Sequence, residues 1–243
     1  MSAIPRFEEL DYQKTALGDL ILRRRTVLAL DNEEIYEIIL GDAFLMSSLY
    51  TVVEQELSRL GLEAARRAFP GEGLDVIVGG LGLGYTARAA LQFNEVSRLG
   101  IVEYLQPVIE WHEKELVPLG KGLNDDSRCH YLHGDFFDLS LGTGYGGGAG
   151  GHHAVLLDID HSPAHLLADR HARFYSKEGL RSFAGKIKAG GVFGLWSDDP
   201  PEKGFMDSLA DVFASVESHQ VAFHNPIQDE EFQSTVYLAT KAR

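Results

Sequence analysis

A single cysteine, Cys129, in 243 residues leaves no internal disulfide partner and no cysteine cage for a metal, so stability has to come from packing. Long apolar runs are missing too, and nothing approaches the roughly 20 residues that a membrane-spanning helix needs. At the start of the chain, acidic Glu8, Glu9 and Asp11 follow Arg6, where a secretory leader would turn apolar. These absences predict a cytoplasmic protein with no membrane partner. Basic residues are also scarce: 22 Lys and Arg against 36 Asp and Glu give a formal net charge of −14. That balance opposes the attraction to phosphate backbones on which nucleic-acid binding mostly rests. It also suits cationic small molecules, but solubility alone is the better explanation. What is present is ordinary for a globular chain, with 44% hydrophobic and 24% charged residues and 26 glycines, which excludes disordered, collagen-like and coiled-coil classes.

The pattern of apolar residues changes twice along the chain. Over residues 1–46, Leu20, Leu22, Val27, Leu28 and Leu30 sit between the turn signals Gly18-Asp19 and Asp31-Asn32, which predicts a small N-terminal β domain. Residues 47–73 read as connecting helices: Leu49, Val52, Val53, Leu57 and Leu60 follow Ser47-Ser48 at helical spacing and end at Gly61. A second helix over Leu62 to Phe69 ends at the linker Pro70-Gly71-Glu72-Gly73.

Residues 74–243 alternate apolar strands with amphipathic helices, the pattern of an α/β doubly wound, Rossmann-like sheet. Seven strands are expected, at 74–78, 99–103, 129–132, 154–158, 191–196, 218–224 and 235–239, with helices at about 86–94, 106–116, 176–188 and 204–215. Too few residues, 225–234, separate the last two strands for a helical crossover, so the last strand should run antiparallel. The stretch from Leu141 to Gly151, LGTGYGGGAGG, has no Lys-Ser/Thr and no following helix, and reads as a mobile loop without a phosphate role.

Chemistry concentrates at the expected strand ends. LDVIVGGLGLGYTARAAL sets Gly80, Gly82 and Gly84 between a buried strand and a helix. Glycines there let the backbone turn sharply beside a ligand, and the helix start offers free N–H groups. The same turn can also be a matter of packing alone. Nineteen residues after Gly84 the next strand ends in Glu103-Tyr104, and a carboxylate at that place can grip a ribose diol. Asp135-Phe136 follows another strand end, the acid placed to accept from an adenine amine and the ring to flank the base. A fourth strand ends at Asp158, giving four consecutive tips on one rim. A dinucleotide fingerprint is not met, because Tyr85 stands where its third glycine belongs.

These residues resemble the spermidine synthase (polyamine aminopropyltransferase) family within the class I S-adenosylmethionine-dependent methyltransferases, over nearly the whole chain from about Tyr12 to Ala239. The resemblance implies a transferase, a small amine or amino-acid-like acceptor, and a homodimer. By the same likeness LDYQKT places Tyr12 near the substrate and Gln13 near the cofactor, while EEIYEIIL keeps Tyr36 but has Glu37 where the family has His. The family's acid in the glycine turn falls at Leu83. Its absence points to ordinary S-adenosylmethionine and methyl transfer to nitrogen, ahead of aminopropyl transfer from decarboxylated S-adenosylmethionine. In AVLLDIDHSPAHLL the likeness casts Asp158 as the proton acceptor, with His161 replacing the second acid and Asp160 as an additional acid. FGLWSDDP puts Trp196 and Asp198 beside the substrate.

Two other readings fit the same residues. His152, His153, Asp158, Asp160, His161, His165 and His171 crowd one stretch, and His161 and His165 would share a helical face, an acceptable metal spacing. Pro163 and the loop position of His152-His153 speak against it, so no metal is expected. The second is a non-catalytic binder that kept the cradle and lost the amine loop, for which Leu83 and His161 are the motive.

Overall fold

The computed structural model describes residues 7–146 and 150–243. Four strands come first: β1 (Phe7–Thr15), β2 (Gly18–Val27), β3 (Glu33–Leu40) and β4 (Ala43–Ser47), an antiparallel meander in chain order. Period-two alternation turns Leu20 and Leu22 of β2 and Ile38 and Leu40 of β3 to the core. On the opposite face Glu37 is buried, accepting from Arg23 at 2.6 Å and Arg25 at 2.9 Å.

Helix α1 (Val52–Ala68) follows, then β5 (Leu74–Gly79), α2 (Tyr85–Ala90), β6 (Val96–Glu103), α3 (Gln106–Glu113), α4 (Gly120–Asn124) and β7 (Cys129–His133). The remainder is α5 (Phe136–Leu141), β8 (His152–Leu157), α6 (Ala172–Tyr175), α7 (Lys177–Ala184), β9 (Ile187–Ser197), α8 (Lys203–Ala210), β10 (Ser215–Asn225) and β11 (Glu230–Thr240). Strands β5 to β11 form one sheet in the order β10-β11-β9-β8-β5-β6-β7, parallel except that β11 runs antiparallel to both neighbours. The seven strands and the antiparallel ending agree with the sequence reading.

This order explains where a site can form. From β5 the chain steps outward to β6 and β7, then returns to lay β8 on the other flank of β5. Connections therefore diverge at the carboxyl ends of β5 and β8, and a crevice opens there. The sheet is covered on both faces. Val76 and Val78 point to one side with Leu99, Ile101 and Leu156, beneath α1, α2 and α3. Ile77, Val155, Leu157 and Phe193 point to the other, against an aromatic layer with Phe136, Phe174 and Phe183. Each such buried side chain contributes about 1.5–3 kcal/mol, so two-sided burial carries a fold without cross-links.

Four local expectations are corrected. Helix α1 is continuous where two helices were expected: Gly61 lies within it because a Cβ there would come within 2.6 Å of Leu156 Cδ2. Close approach of helix to sheet, not termination, is the reason for that glycine. The residue before α1 is Thr51, not Ser47 or Ser48. His152 and His153 are buried at the start of β8 and not in a loop: His152 Nδ1 meets Asp75 at 3.0 Å, and the Asp75 N–H donates to His153 Nδ1 at 2.8 Å. The glycine-rich stretch is likewise not wholly loop, since Leu141 ends α5 and Tyr145 is buried, stacked 5.3 Å from Phe136 and hydrogen-bonded to Ser140. Residues 147–149, in its middle, lie outside the described residues.

Candidate functional site

The crevice holds a cavity of about 160 Å³ at the ends of β5, β6, β7 and β8. Its floor is the turn after β5. Gly80 and Gly82 have φ of +94° and +48°, the left-handed region that glycine adopts freely. A Cβ on Gly80 would overlap the carbonyl oxygen of Asp158, and one on Gly82 would come within 2.7 Å of Met46 Sδ. The turn thus locks the ends of β5 and β8 together and brings bare backbone to the cavity. His112 supports it from behind: burial lowers its pKa to about 4, so the ring is neutral, and Nε2–H donates to the Gly82 carbonyl at 3.0 Å.

Glu103 closes the next side. One carboxylate oxygen accepts from the Leu81 N–H at 3.0 Å, the other from the Leu105 N–H at 2.7 Å. Burial raises its pKa, opposed by those backbone donors. A carboxylate has about four lone-pair sites, so each oxygen keeps acceptor capacity beyond these bonds. Asp135 caps α5, its Oδ1 accepting from the Phe137 N–H at 2.8 Å, while Oδ2 pairs with Arg170 at 2.7 Å. Arg170 also lies over the Tyr104 ring at 5.2 Å. The three residues wall one end of the cavity, with the edge of Phe136 beside them.

At the other end lies a pair of buried carboxyls. Asp158 Oδ2 accepts from Thr86 Oγ1 at 2.6 Å. Glu54, on α1, faces the same cavity, and both groups are raised above the ordinary carboxylate range, first by burial and, for Glu54, next by the charge of Asp158. Two such acids share protons rather than both ionising. Sequence reasoning missed Glu54, although it stands on the buried stripe of α1 with Leu57, Ser58 and Gly61. A charge on an apolar helical stripe was the available signal.

A second cavity, about 260 Å³, adjoins the first, and Glu54, His161 and Trp196 line both. Asp198 lines only the second, accepting from Ser234 Oγ at 3.3 Å. The buried indole N–H of Trp196 has no acceptor among the described residues.

Other expected site residues stand elsewhere. Leu83 is fully buried in the core and lines neither cavity, because the left-handed turns at Gly82 and Gly84 direct it inward. Gly84 precedes α2 and packs against His112 and Leu123. Asp160 is 1% exposed and holds the segment before α6, accepting from Leu167 N–H, His171 and Tyr175 at 2.8, 2.8 and 3.0 Å. Tyr12 and Gln13 on β1 and Tyr36 on β3 reach neither cavity; Gln13 bonds Asp11, and Tyr36 bonds Glu34. His161 and His165 share no helix face, since residues 161–168 are not helical and His165 pairs with Asp199 at 2.7 Å.

No protein-family model and no curated protein matches the chain. Among solved structures it is similar to a spermidine synthase in complex with the transition-state analogue AdoDATO, with a TM-score of 0.71 and 14% identity over 96% of this chain and 72% of that one. It is equally similar to the spermidine synthase from Thermotoga maritima, at TM-score 0.71 and 14% identity, covering 100% of this chain and 81% of that one. The fold is spermidine synthase-like.

Proposed function

We propose that the chain transfers an aminopropyl group from decarboxylated S-adenosylmethionine to the nitrogen of a small amine. One observation carries this reading: the first cavity is lined by four carboxyls, Glu54, Glu103, Asp135 and Asp158, against a single guanidinium, Arg170, which Asp135 already pairs. A cationic donor without a carboxylate of its own suits such a wall, and each raised carboxyl is drawn back to its charged form when a cation arrives. The two spermidine synthases of like fold support the same choice.

Glu103 would hold the ribose, Asp135 and Phe136 the base, and Gly80 and Gly82 would let the backbone lie against the ligand. The bound donor supplies a carbon made electrophilic by a sulfonium: the amine lone pair forms the C–N bond, the C–S bond breaks, and its electron pair stays on sulfur as a thioether. Asp158 accepts the proton released by the amine, with Glu54 sharing it, a general-base effect of about 10²- to 10⁴-fold. His161 and Trp196, on the wall common to both cavities, position the nucleophile.

Methyl transfer from ordinary S-adenosylmethionine is the second reading, favoured by the absence of any acid in the turn from Gly80 to Gly84. Incubating the protein with each donor and a mixture of amines, followed by mass spectrometry, separates the two. Release of 5′-methylthioadenosine with a propylamine adduct is the expected result. S-adenosylhomocysteine with a methylated amine would establish the second reading instead.

A further inference from the structure

We infer that the second cavity takes the acceptor, and that this acceptor is a primary amine carried on an aromatic or similarly broad apolar body rather than a short aliphatic diamine. The inference rests on reading the first cavity as the donor site. The two cavities meet at Glu54, His161 and Trp196, so a nitrogen placed there faces the first cavity while the rest of its molecule fills the second.

The walls of that second space are rings and branched aliphatics: Phe44, Tyr50, Val52, Phe223, Phe232 and Trp196. Tyr50 and Phe223 lie 6.2 Å apart at 54°, and Phe223 and Phe232 lie 6.1 Å apart at 31°. The Tyr50 hydroxyl donates to Asn225 Oδ1 at 3.0 Å, which fixes that ring against β10. Phe44, Val52 and Phe232 stay 45%, 44% and 37% exposed, apolar area at the mouth that a broad apolar ligand would cover.

The two acids of the second cavity differ in burial. Glu54 is buried at the inner junction, whereas Asp198 is exposed and already accepts from Ser234. Among the described residues no other acid lines the second cavity. A thin diamine would leave the ring faces unfilled and carry its outer ammonium past them to solvent, where a surface ion pair contributes little. An arylalkylamine fills the rings and presents a single nitrogen to the carboxyls.

Calorimetry on the full chain with saturating 5′-methylthioadenosine tests this with 2-phenylethylamine, n-butylamine and 1,4-diaminobutane. We expect 2-phenylethylamine to bind about tenfold or more tightly than either aliphatic amine. Phe232→Ala and the milder Phe223→Leu should each remove most of that advantage without changing nucleoside affinity. Equal or tighter binding of 1,4-diaminobutane, or variants that weaken all three amines alike, would overturn it. Failure of the nucleoside to bind, with the aromatic preference intact, would sink the donor-site reading alone.

Discussion

Thr86 Oγ1 donates a 2.6 Å hydrogen bond to Oδ2 of Asp158, joining the first turn of α2 to the end of β8. Two effects compete on that carboxyl: burial raises its pKa and the hydroxyl lowers it, with burial the larger. The bond therefore keeps available, near neutral pH, the charged form that a proton acceptor needs.

Thr86→Val keeps the shape and removes the donor. Turnover at pH 7 should fall about 10- to 100-fold, and the acidic limb of the pH–rate profile should move to higher pH because the lowering influence is gone. A profile with unchanged midpoints would exclude Asp158 as the base.

Glu54 and Asp158 predict an unusual stability profile for the ligand-free protein. Their folded pKa values lie above the unfolded ones, so the folded state binds more protons and stability falls as pH rises from about 4, the ordinary carboxylate value, toward and beyond neutrality. Glu54→Gln should flatten that fall and raise Tm at pH 8 relative to the parent. Thermal unfolding at pH 5 and pH 8 measures both; a parent Tm that is equal or higher at pH 8, with no effect of the substitution, contradicts the buried pair.

Glu103→Ala removes the proposed ribose acceptor and leaves two backbone N–H groups without their partner. Affinity for 5′-methylthioadenosine should weaken by about 1–3 kcal/mol, read by calorimetry on protein whose circular dichroism matches the parent. Unchanged affinity removes Glu103 from the site.

Gly80→Ala combines a left-handed backbone with overlap onto the Asp158 carbonyl. The conformation alone costs about 1–2 kcal/mol, and the overlap adds to it. Gly122→Ala, inside α4, is the control, since its Cβ would meet nothing within 4 Å, and it should equal the parent or exceed it by up to about 1 kcal/mol. Urea unfolding of the two variants compares them directly.

Much of this was legible in the chain itself. The unbroken apolar run Val76, Ile77 and Val78 betrays a strand buried on both faces, and the glycine turn with Glu103, Asp135 and Asp158 marks one rim, because strand ends must carry whatever the crevice uses. The direction of single side chains was not legible. Asp158 and Asp160 are two residues apart and chemically alike, yet the second faces His171 and Tyr175, whose arrival is a tertiary matter. Leu83 turns inward because its glycine neighbours adopt positive φ, which sequence permits but does not dictate. Gly61 read as a helix end only because Leu156, far along the chain, could not be seen beneath it.

The antiparallel hairpin of β10 and β11 has an evolutionary consequence. It supplies Phe223, Asn225, Phe232 and Ser234 to one chamber, while the glycine turn and Glu103 serve only the other. Drift in the hairpin can reshape the second chamber and leave the walls of the first intact. A lineage with this layout can diversify its chemistry by editing its last thirty or so residues.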